Sequence, residues 1–554
     1  MPAAPRHPRL TQDRRRQSSR AETASQKKAG RPPGPPSTIV NLRIPVDLLA
    51  QLDESREMLG IKKQLRYTGL DHSPATRTRR SSRMRVKLQL VMYSDEGQEE
   101  TVTDVITLNK NSQRIEHLGL TMAEAKQLLS ALQRHLLQQQ VDTFLDRCST
   151  CADCGALLKV KAHASRSFRT LFGTYKLSSP RLEHCDCTRR KTSSFRPLSA
   201  LLTESVAPEL LYMEAKWSSL VSYGMSLDAL KDFLPLESTL DVKAVRYDTL
   251  KVAQRLEAEL GEEQPCFIEG SPSEWELLPR PEGSFRVGID GGYVRNWCAK
   301  KHNFEVIVGK STRACGEHDA DKTPSSKRFG FVQTLETKPK RRLYEVLHAQ
   351  GLQMNQDIAF LSDGNDTLRV LQLEMSPKAT HILDWFHVAM RLTVLDQYGK
   401  GLVHCEAALG EEIREKIARL KWSLWHGQVD KALGKIDDLA SAIALFQETY
   451  PRFNQLVKAL SELRTYIGNN RHLIPNYGQR YHQGEAIATG FVESTVNEVV
   501  SKRFCKKQQM QWSKPGAHLL LQTRVKTLDG ELGAIFKRWY PDMDIEVEEM
   551  PAAA

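Results

Sequence analysis

The hydrophobic and polar positions of the chain change period several times, and each change marks an element. From Met84, "MRVKLQLVMYSDEG" alternates apolar with polar residues and runs into a turn, which predicts a strand. Over 121–147 the leucines of "TMAEAKQLLSALQRHLLQQQVDTFLDR" recur at helical spacing, and Thr121 with Glu124 has the form of a capping box. "SFRTLFGTYKLSSPRL" alternates and turns as a β-hairpin does. Residues 203–260 read as three helices. Of these, "SLDALKDFLP" is short, amphipathic and stopped by Pro235, and "DVKAVRYDTLKVAQRLEAEL" opens on Asp241 as its N-cap. The Pro- and Gly-rich "EEQPCFIEGSPSEWELLPRPEGS" is then a linker.

Past the linker the segments shorten. "SFRVGIDGGYVRNW", "NFEVIVGKS" and "FGFVQT" are three strands, "RRLYEVLHAQGL" is a helix, "DIAFLSDG" is a fourth strand, and "ATHILDWFHVAMRL" is a fifth strand entering a helix. This order is the one an RNase H-like fold requires. There the first and fourth strands are neighbours, so Asp290 and Asp363 are expected to converge although 73 positions separate them. Residues 401–484 are mostly helical and read as an insertion before the last core segment, 485–530.

The expected architecture is therefore multidomain α+β. A basic extension covers 1–83, with a segment at 37–63 that resembles the first half of a ribbon-helix-helix unit. A strand–helix region covers 84–147, a zinc-ribbon-like module 148–192 and a helix-turn-helix domain 200–260. An RNase H-like core is formed by 283–400 and 485–530, and a C-terminal tail by 531–554. Residues 1–36, rich in Arg, Pro, Ser and Gly, lack the apolar surface to fold, and a shorter product starting at Met84 is an alternative.

Composition narrows the function. With 40% hydrophobic and 26% charged residues in 554, the chain reads as soluble and globular. No apolar run approaches the roughly 18 residues of a membrane span, and no signal-peptide-like segment stands near the N-terminus, so a cytoplasmic protein with no membrane partner is expected. The formal charge of +12 is clustered at 6–31, 76–85, 159–196 and 502–507, which points to a polyanion, with nucleic acid foremost. Lys502, Arg503, Lys506 and Lys507, on the basic helix after Glu493, and Lys243, Arg246 and Tyr247, on the second helix of the helix-turn-helix, are the expected DNA contacts.

Five of the ten cysteines fall between Cys148 and Cys187. Cys151 and Cys154 form a CxxC half-site and Cys185 with Cys187 a tighter CxC. Joined by a hairpin, they suit a tetrahedral, structural Zn²⁺, with Cys148 an alternative ligand. Arg166, Arg169, Lys176 and Arg181 would make the module's surface basic.

Convergent carboxylates repel unless a cation lies between them, and hard oxygen ligands suit Mg²⁺ or Mn²⁺. The third acid is Glu493, near the start of a helix whose dipole favours it. Glu498 is its rival, five residues on and pointing about 140° away on an α-helix. Trp422 and Trp425 either anchor a core or stack on an unpaired base, and Arg471, Arg480 and His482 are candidate phosphate contacts.

Together "VGIDGGYVRNW", "FLSDGNDTLR", "ILDWFHVAMRL", "LWHG" and "GFVESTVNEVVSKRFCKKQQMQWSKPGAHLLLQTRVKTL" resemble the ISKra-type insertion-sequence transposases, over about Met84 to residue 530. The resemblance implies a DDE enzyme in which Asp290, Asp363 and Glu493 hold Mg²⁺ or Mn²⁺, and Asp384 with His387, from a (C/D)xxH pattern, supports them. It implies double-stranded DNA partners, both the element's terminal inverted repeats and a target, a homo-oligomer that pairs two ends, and a bacterial, nucleoid-associated location. The rival is a non-catalytic zinc- and helix-turn-helix-containing DNA-binding protein, a regulator or an inactive, domesticated element.

Overall fold

The computed structural model describes residues 83–93, 100–111, 115–187, 194–281, 283–299, 302–313, 325–364, 371–505 and 511–545. The chain falls into two units, Met1–Arg80 and Ser81–Ala554. The first unit, and with it the ribbon-helix-helix-like segment expected at 37–63, lies outside the described residues.

In the second unit, β1 (Arg83–Tyr93) and β2 (Glu100–Asn111) pair antiparallel, and α1 (Met122–Arg147) packs against β2. The capping box forms: the Thr121 hydroxyl accepts from the Glu124 N–H at 3.3 Å, and the Thr121 N–H donates to the Glu124 carboxylate at 2.8 Å. Next come β3 (Val160–Thr170), β4 (Gly173–Glu183) and the short β5 (Ser194–Phe195), one antiparallel sheet. Alternation on β4 turns Tyr175 and Leu177 inward, onto Leu137 and Val141 of α1.

Helices α2 (Pro208–Leu220), α3 (Tyr223–Phe233) and α4 (Val242–Ala258) follow, and Asp241 caps α4 by accepting from the Ala244 N–H at 2.8 Å. The main sheet contains β6 (Phe285–Arg295), β7 (Asn303–Arg313), β8 (Ser325–Val332), β9 (Ile358–Ser362) and β10 (Ala379–Leu383) in the order β10-β9-β6-β7-β8. β6, β7 and β8 run antiparallel, whereas β9 and β10 are parallel to β6. The protein is thus α+β with a mixed sheet.

The central strands are apolar on both faces because both faces are covered. Val287, Ile289 and Ile307 pack with Leu343 and Leu347 of α5 (Pro339–His348). Val294, Val306 and Val308 instead join a cluster with Val499, Val500, Leu520 and Leu521. At roughly 1.5–3 kcal/mol per fully buried aliphatic side chain, these clusters outweigh any local propensity. Leu361, Ile382 and Leu383 form a third cluster with α6 (Trp385–Val403), α7 (Ala407–Trp425), α8 (Val429–Ile443) and α9 (Phe453–Asn469), so the core of the 401–484 segment is continuous with the sheet. The chain then forms α10 (Gly490–Val496), a π-helical continuation at Asn497–Cys505, α11 (Lys514–Leu528) and α12 (Leu532–Trp539).

Two boundaries differ from expectation. Tyr223, Leu227, Leu240 and Val245 of the 200–260 segment share their cluster with the main sheet, so that segment has no separate core there. Residues 531–545 are not a tail. Leu532 and Phe536, four apart on one face of α12, bury against Leu210 and Leu211 of α2. Among the described residues no helix is long and apolar enough to cross a membrane.

Candidate active site and cysteine cluster

β6 carries Gly288, Asp290 and Gly292 at alternate positions, hence on one face. Helix α10 lies on that face. A Cβ at Gly288 would meet Phe491 Cζ at 2.9 Å and Val492 Cγ2 closer still, and one at Gly292 would meet Val496 Cγ1 at 3.0 Å. Side-chain-free positions on either side of Asp290 thus let the helix bearing Glu493 settle onto the strand bearing Asp290. The parallel pairing of β6 with β9 ends at Gly288 opposite Leu361, so two further steps bring Asp290 level with Asp363, just past the end of β9.

Electrostatics tie the expected residues together. Burial first, then Asp363 and Asp384, push the Asp290 carboxyl above its ordinary range, against the pull of the Gly291 N–H, which donates to Asp290 Oδ1 at 2.7 Å, and of His387. Burial, then Asp290 and Asp384, raise Glu493. His387 Nδ1 lies 2.8 Å from Asp384 Oδ2; that hydrogen bond, then the charges of Asp384, Asp363 and Asp290, raises its pKa. Each shift has the sign expected of carboxylates crowded together. Asp384 is fully buried. It caps α6 through the Phe386 N–H at 2.9 Å, and it accepts from the Thr489 N–H at 3.1 Å and from the Thr489 hydroxyl. It thereby fastens the fifth strand's end to the turn that launches the Glu493 helix.

Glu498 belongs elsewhere: it pairs with Arg328 of β8 at 3.1 Å. Glu305, on β7, was not anticipated. Burial, then Asp363 and Asp290, raise its pKa, so a fifth carboxyl group stands within electrostatic reach of the cluster. The one trace of it in the sequence is a lone charge inside the apolar run "FEVIV".

The cysteines gather more tightly. Sγ atoms of Cys151, Cys154, Cys185 and Cys187 all lie within 4.8 Å of one another, a closeness found for this group and not for the carboxylates among the described residues. Cys151 is 3.5 Å from Cys187, and Cys154 is 3.4 Å from both Cys185 and Cys187. A tetrahedron with Zn–S of about 2.3 Å has S···S edges near ~3.8 Å, so the four thiols fit a structural metal such as zinc with little movement. The first knuckle closes by Gly155 N–H donating to Cys151 O at 2.9 Å, with Gly155 at φ 71°, and β3 and β4 carry the second pair back to it. Backbone N–H groups of Cys154 and Asp153 pull Cys151 down to about 7, whereas the neighbouring thiols push Cys187 well up, the opposing shifts of thiols crowded together. Cys148, the alternative ligand, stands outside the cluster at the C-cap of α1.

The expected DNA contacts divide. Lys243, Arg246 and Tyr247 are exposed together on α4, and Lys502 is exposed. Arg503 is not a surface contact: it is fully buried, donates to Ser218 O at 3.0 Å, and its guanidinium lies 5.2 Å and 4.9 Å from the Tyr223 and Trp512 ring centres. It lies one turn beyond Val499 and Val500 on the same buried face of the helical run Asn497–Cys505, so its place on that face turns it inward. Lys506 and Lys507 lie outside the described residues. Arg169 also turns inward, to an ion pair with Asp248 of α4. Arg471 and Arg480 pair with Asp430 and Glu485 at 2.8 Å and 2.7 Å, while His482 is exposed. Trp425 packs on Trp385 and Tyr477, whereas Trp422 is 61% exposed and stacks on His426.

No family model matches the chain, and no curated protein matches it in sequence.

Proposed function

We propose that the chain is a DNA transposase of the DDE type, with an RNase H-like core. The observation that carries this reading is the arrangement of the acids. Asp290 and Asp363 come level on neighbouring parallel strands, beneath the close-packed helix that carries Glu493. The strand order supports it: counted along the sheet from β8, the order is 3-2-1-4-5, with the second strand alone antiparallel to the rest. Asp290, Asp363 and Glu493 would hold Mg²⁺ or Mn²⁺. The donor set fits, since it is all carboxylate, and burial with neighbouring carboxylates holds Asp290 and Glu493 above their ordinary range. A bound cation there activates the attacking oxygen and stabilises the leaving one.

The chain's own residues supply the rest. Asp384 orients His387 at the edge of the acid cluster, and the Thr489–Asp384 tie keeps the Glu493 helix seated on β6. Water, and then the freed 3′-OH, would attack a phosphodiester with no covalent enzyme intermediate. The exposed Lys243, Arg246 and Tyr247 would engage the element's ends, with the cysteine cluster and its zinc bracing the module in front of them. Two ends paired at once would require a homo-oligomer.

The test is incubation of the full chain with labelled DNA flanking its own gene, plus Mg²⁺ or Mn²⁺. Metal-dependent cuts leaving 3′-OH ends at inverted repeats are expected. Asp363→Asn should abolish them while DNA affinity holds or rises, since a negative charge is lost. Normal cutting by that variant sinks the triad. The second reading, a DNA-binding protein without catalysis, draws on the closer gathering of the cysteines than of the carboxylates; tight binding with no cut under any divalent cation would favour it.

A further inference from the structure

The end of β9 is held from an unexpected direction. Tyr466, near the end of α9, donates its hydroxyl to the backbone carbonyl of Asp363 at 3.0 Å. The Tyr466 ring lies under the Arg391 guanidinium of α6, 4.3 Å from its centre. Asn470, one turn on, donates to Tyr466 O at 2.9 Å and sits so close to the Asp363 turn that a Cβ at Gly364 would meet its Oδ1 at 2.5 Å. Gly364 has φ +88°, so backbone conformation and crowding both require glycine there. The neighbouring strand is gripped alike: Tyr477 donates to Leu383 O, the residue before Asp384, at 2.7 Å.

Two tyrosines from the helical segment therefore fasten the two strand ends that carry Asp363 and Asp384. Neither bond is needed to complete the sheet, because β9 and β10 already pair in register through Ser362 and Leu383. What the Tyr466 bond adds is the direction of the peptide from which the Asp363 side chain springs. The ring, clamped between Arg391 and the segment's apolar core, has little freedom to lend that carbonyl to another partner.

We propose that Tyr466 is a positioning residue for Asp363, through which the helical segment sets the affinity of the acid cluster for a divalent cation. This rests on the reading of Asp290, Asp363 and Glu493 as a cation site. Groups that orient a ligand without touching the metal commonly govern affinity by about 10–100-fold.

The test measures Mn²⁺ affinity of the full, zinc-loaded chain by calorimetry, together with thermal stability. Tyr466→Phe keeps the ring and its packing, and about tenfold weaker Mn²⁺ binding is expected. Leu460→Ala, in the buried core of the same helix, should lower the melting temperature and leave Mn²⁺ affinity alone. If Tyr466→Phe binds within twofold of the parent while Asp363→Asn loses the ion, the positioning role is overturned and the cation site stands. If Asp363→Asn binds as the parent does, the site and the inference fall together. Equal weakening in Tyr466→Phe and Leu460→Ala, in proportion to lost stability, also overturns the inference, since the bond would then be structural only.

Discussion

Gly288→Ala is the sharpest probe of how the candidate site is assembled. Gly288 has an ordinary extended backbone, so by its effect on the unfolded chain alone the change should stabilise by about 0.4–1 kcal/mol. Its new Cβ, however, would stand 2.9 Å from Phe491 Cζ and nearer still to Val492 Cγ2. Carbon atoms rest about 3.5–4.0 Å apart, so α10 must withdraw by more than about 1 Å. Overpacking of this kind costs about 1–3 kcal/mol, which leaves a net loss of roughly 1 kcal/mol. At about 2.1 cal/mol/K of unfolding entropy per residue, a unit of this size melting as one loses about 1 °C for that cost, resolved by calorimetry. The functional effect should be larger. Glu493 moves with its helix, and a misplacement of about 1 Å can cost about a hundredfold in rate, so cutting should fall far more than stability. Gly434→Ala is the matched control. It lies inside α8 with nothing within 4 Å of its would-be Cβ, and should stabilise by about 1 kcal/mol with cutting unchanged. A Gly288→Ala protein that melts no lower than the parent and cuts as fast would refute the close-packed seat proposed for Glu493.

Other consequences are as direct. Arg503→Met replaces a buried guanidinium whose two terminal nitrogens have no hydrogen-bond partner among the described residues. Stability should hold or rise, and the salt dependence of DNA binding should not change. A slope shallower by about one would show that Arg503 meets a phosphate after all. Cys154→Ser and Cys185→Ser should abolish stoichiometric zinc, read by release to a colorimetric chelator, whereas Cys148→Ser should retain it; the reverse pattern would break the assigned ligand set. Glu214 is fully buried in α2, and burial, then Asp248, raises its carboxyl from 4.5 to about 8. The folded state therefore holds a proton that the unfolded chain releases near 4.5. Glu214 thus costs nothing below that pH, and stability falls as pH climbs from about 4.5 to about 8, by at most about 1.4 kcal/mol per unit. Glu214→Gln should flatten that decline in chemical-denaturation curves, and an unchanged pH profile would show the group ionises freely in the fold.

The sequence by itself determined the local elements and much of the chemistry. Short runs rich in Val, Ile and Phe made "FRVGIDGGYVR" and "NFEVIVGKS" strands, Thr121 with Glu124 and Asp241 began helices, and two cysteine pairs joined by a hairpin marked a metal-sized cluster. These signals survive because each is written within a few neighbouring residues. Tertiary structure decided what depends on faces and on partners far away in the chain. Glu493 and Glu498 are the same residue type five positions apart in one helical run; the helix start favours the first, but only the packing of α10 on Gly288 and the ion pair with Arg328 give them separate places. Arg503 and Lys502 stand side by side in one basic run, yet the face shared with Val499 and Val500 turns the first into an aromatic slot and leaves the second outside. Trp422 and Trp425 share a helix, and only the packing around them sends one to solvent and the other into the core. Tyr466 and Asp363 lie 103 positions apart, Glu305 joins the acids only through its strand's place in the sheet, and α12 is held by α2 across most of the chain. No local pattern encodes such pairs, because burial is decided by the whole set of surfaces that come together when the chain closes on itself.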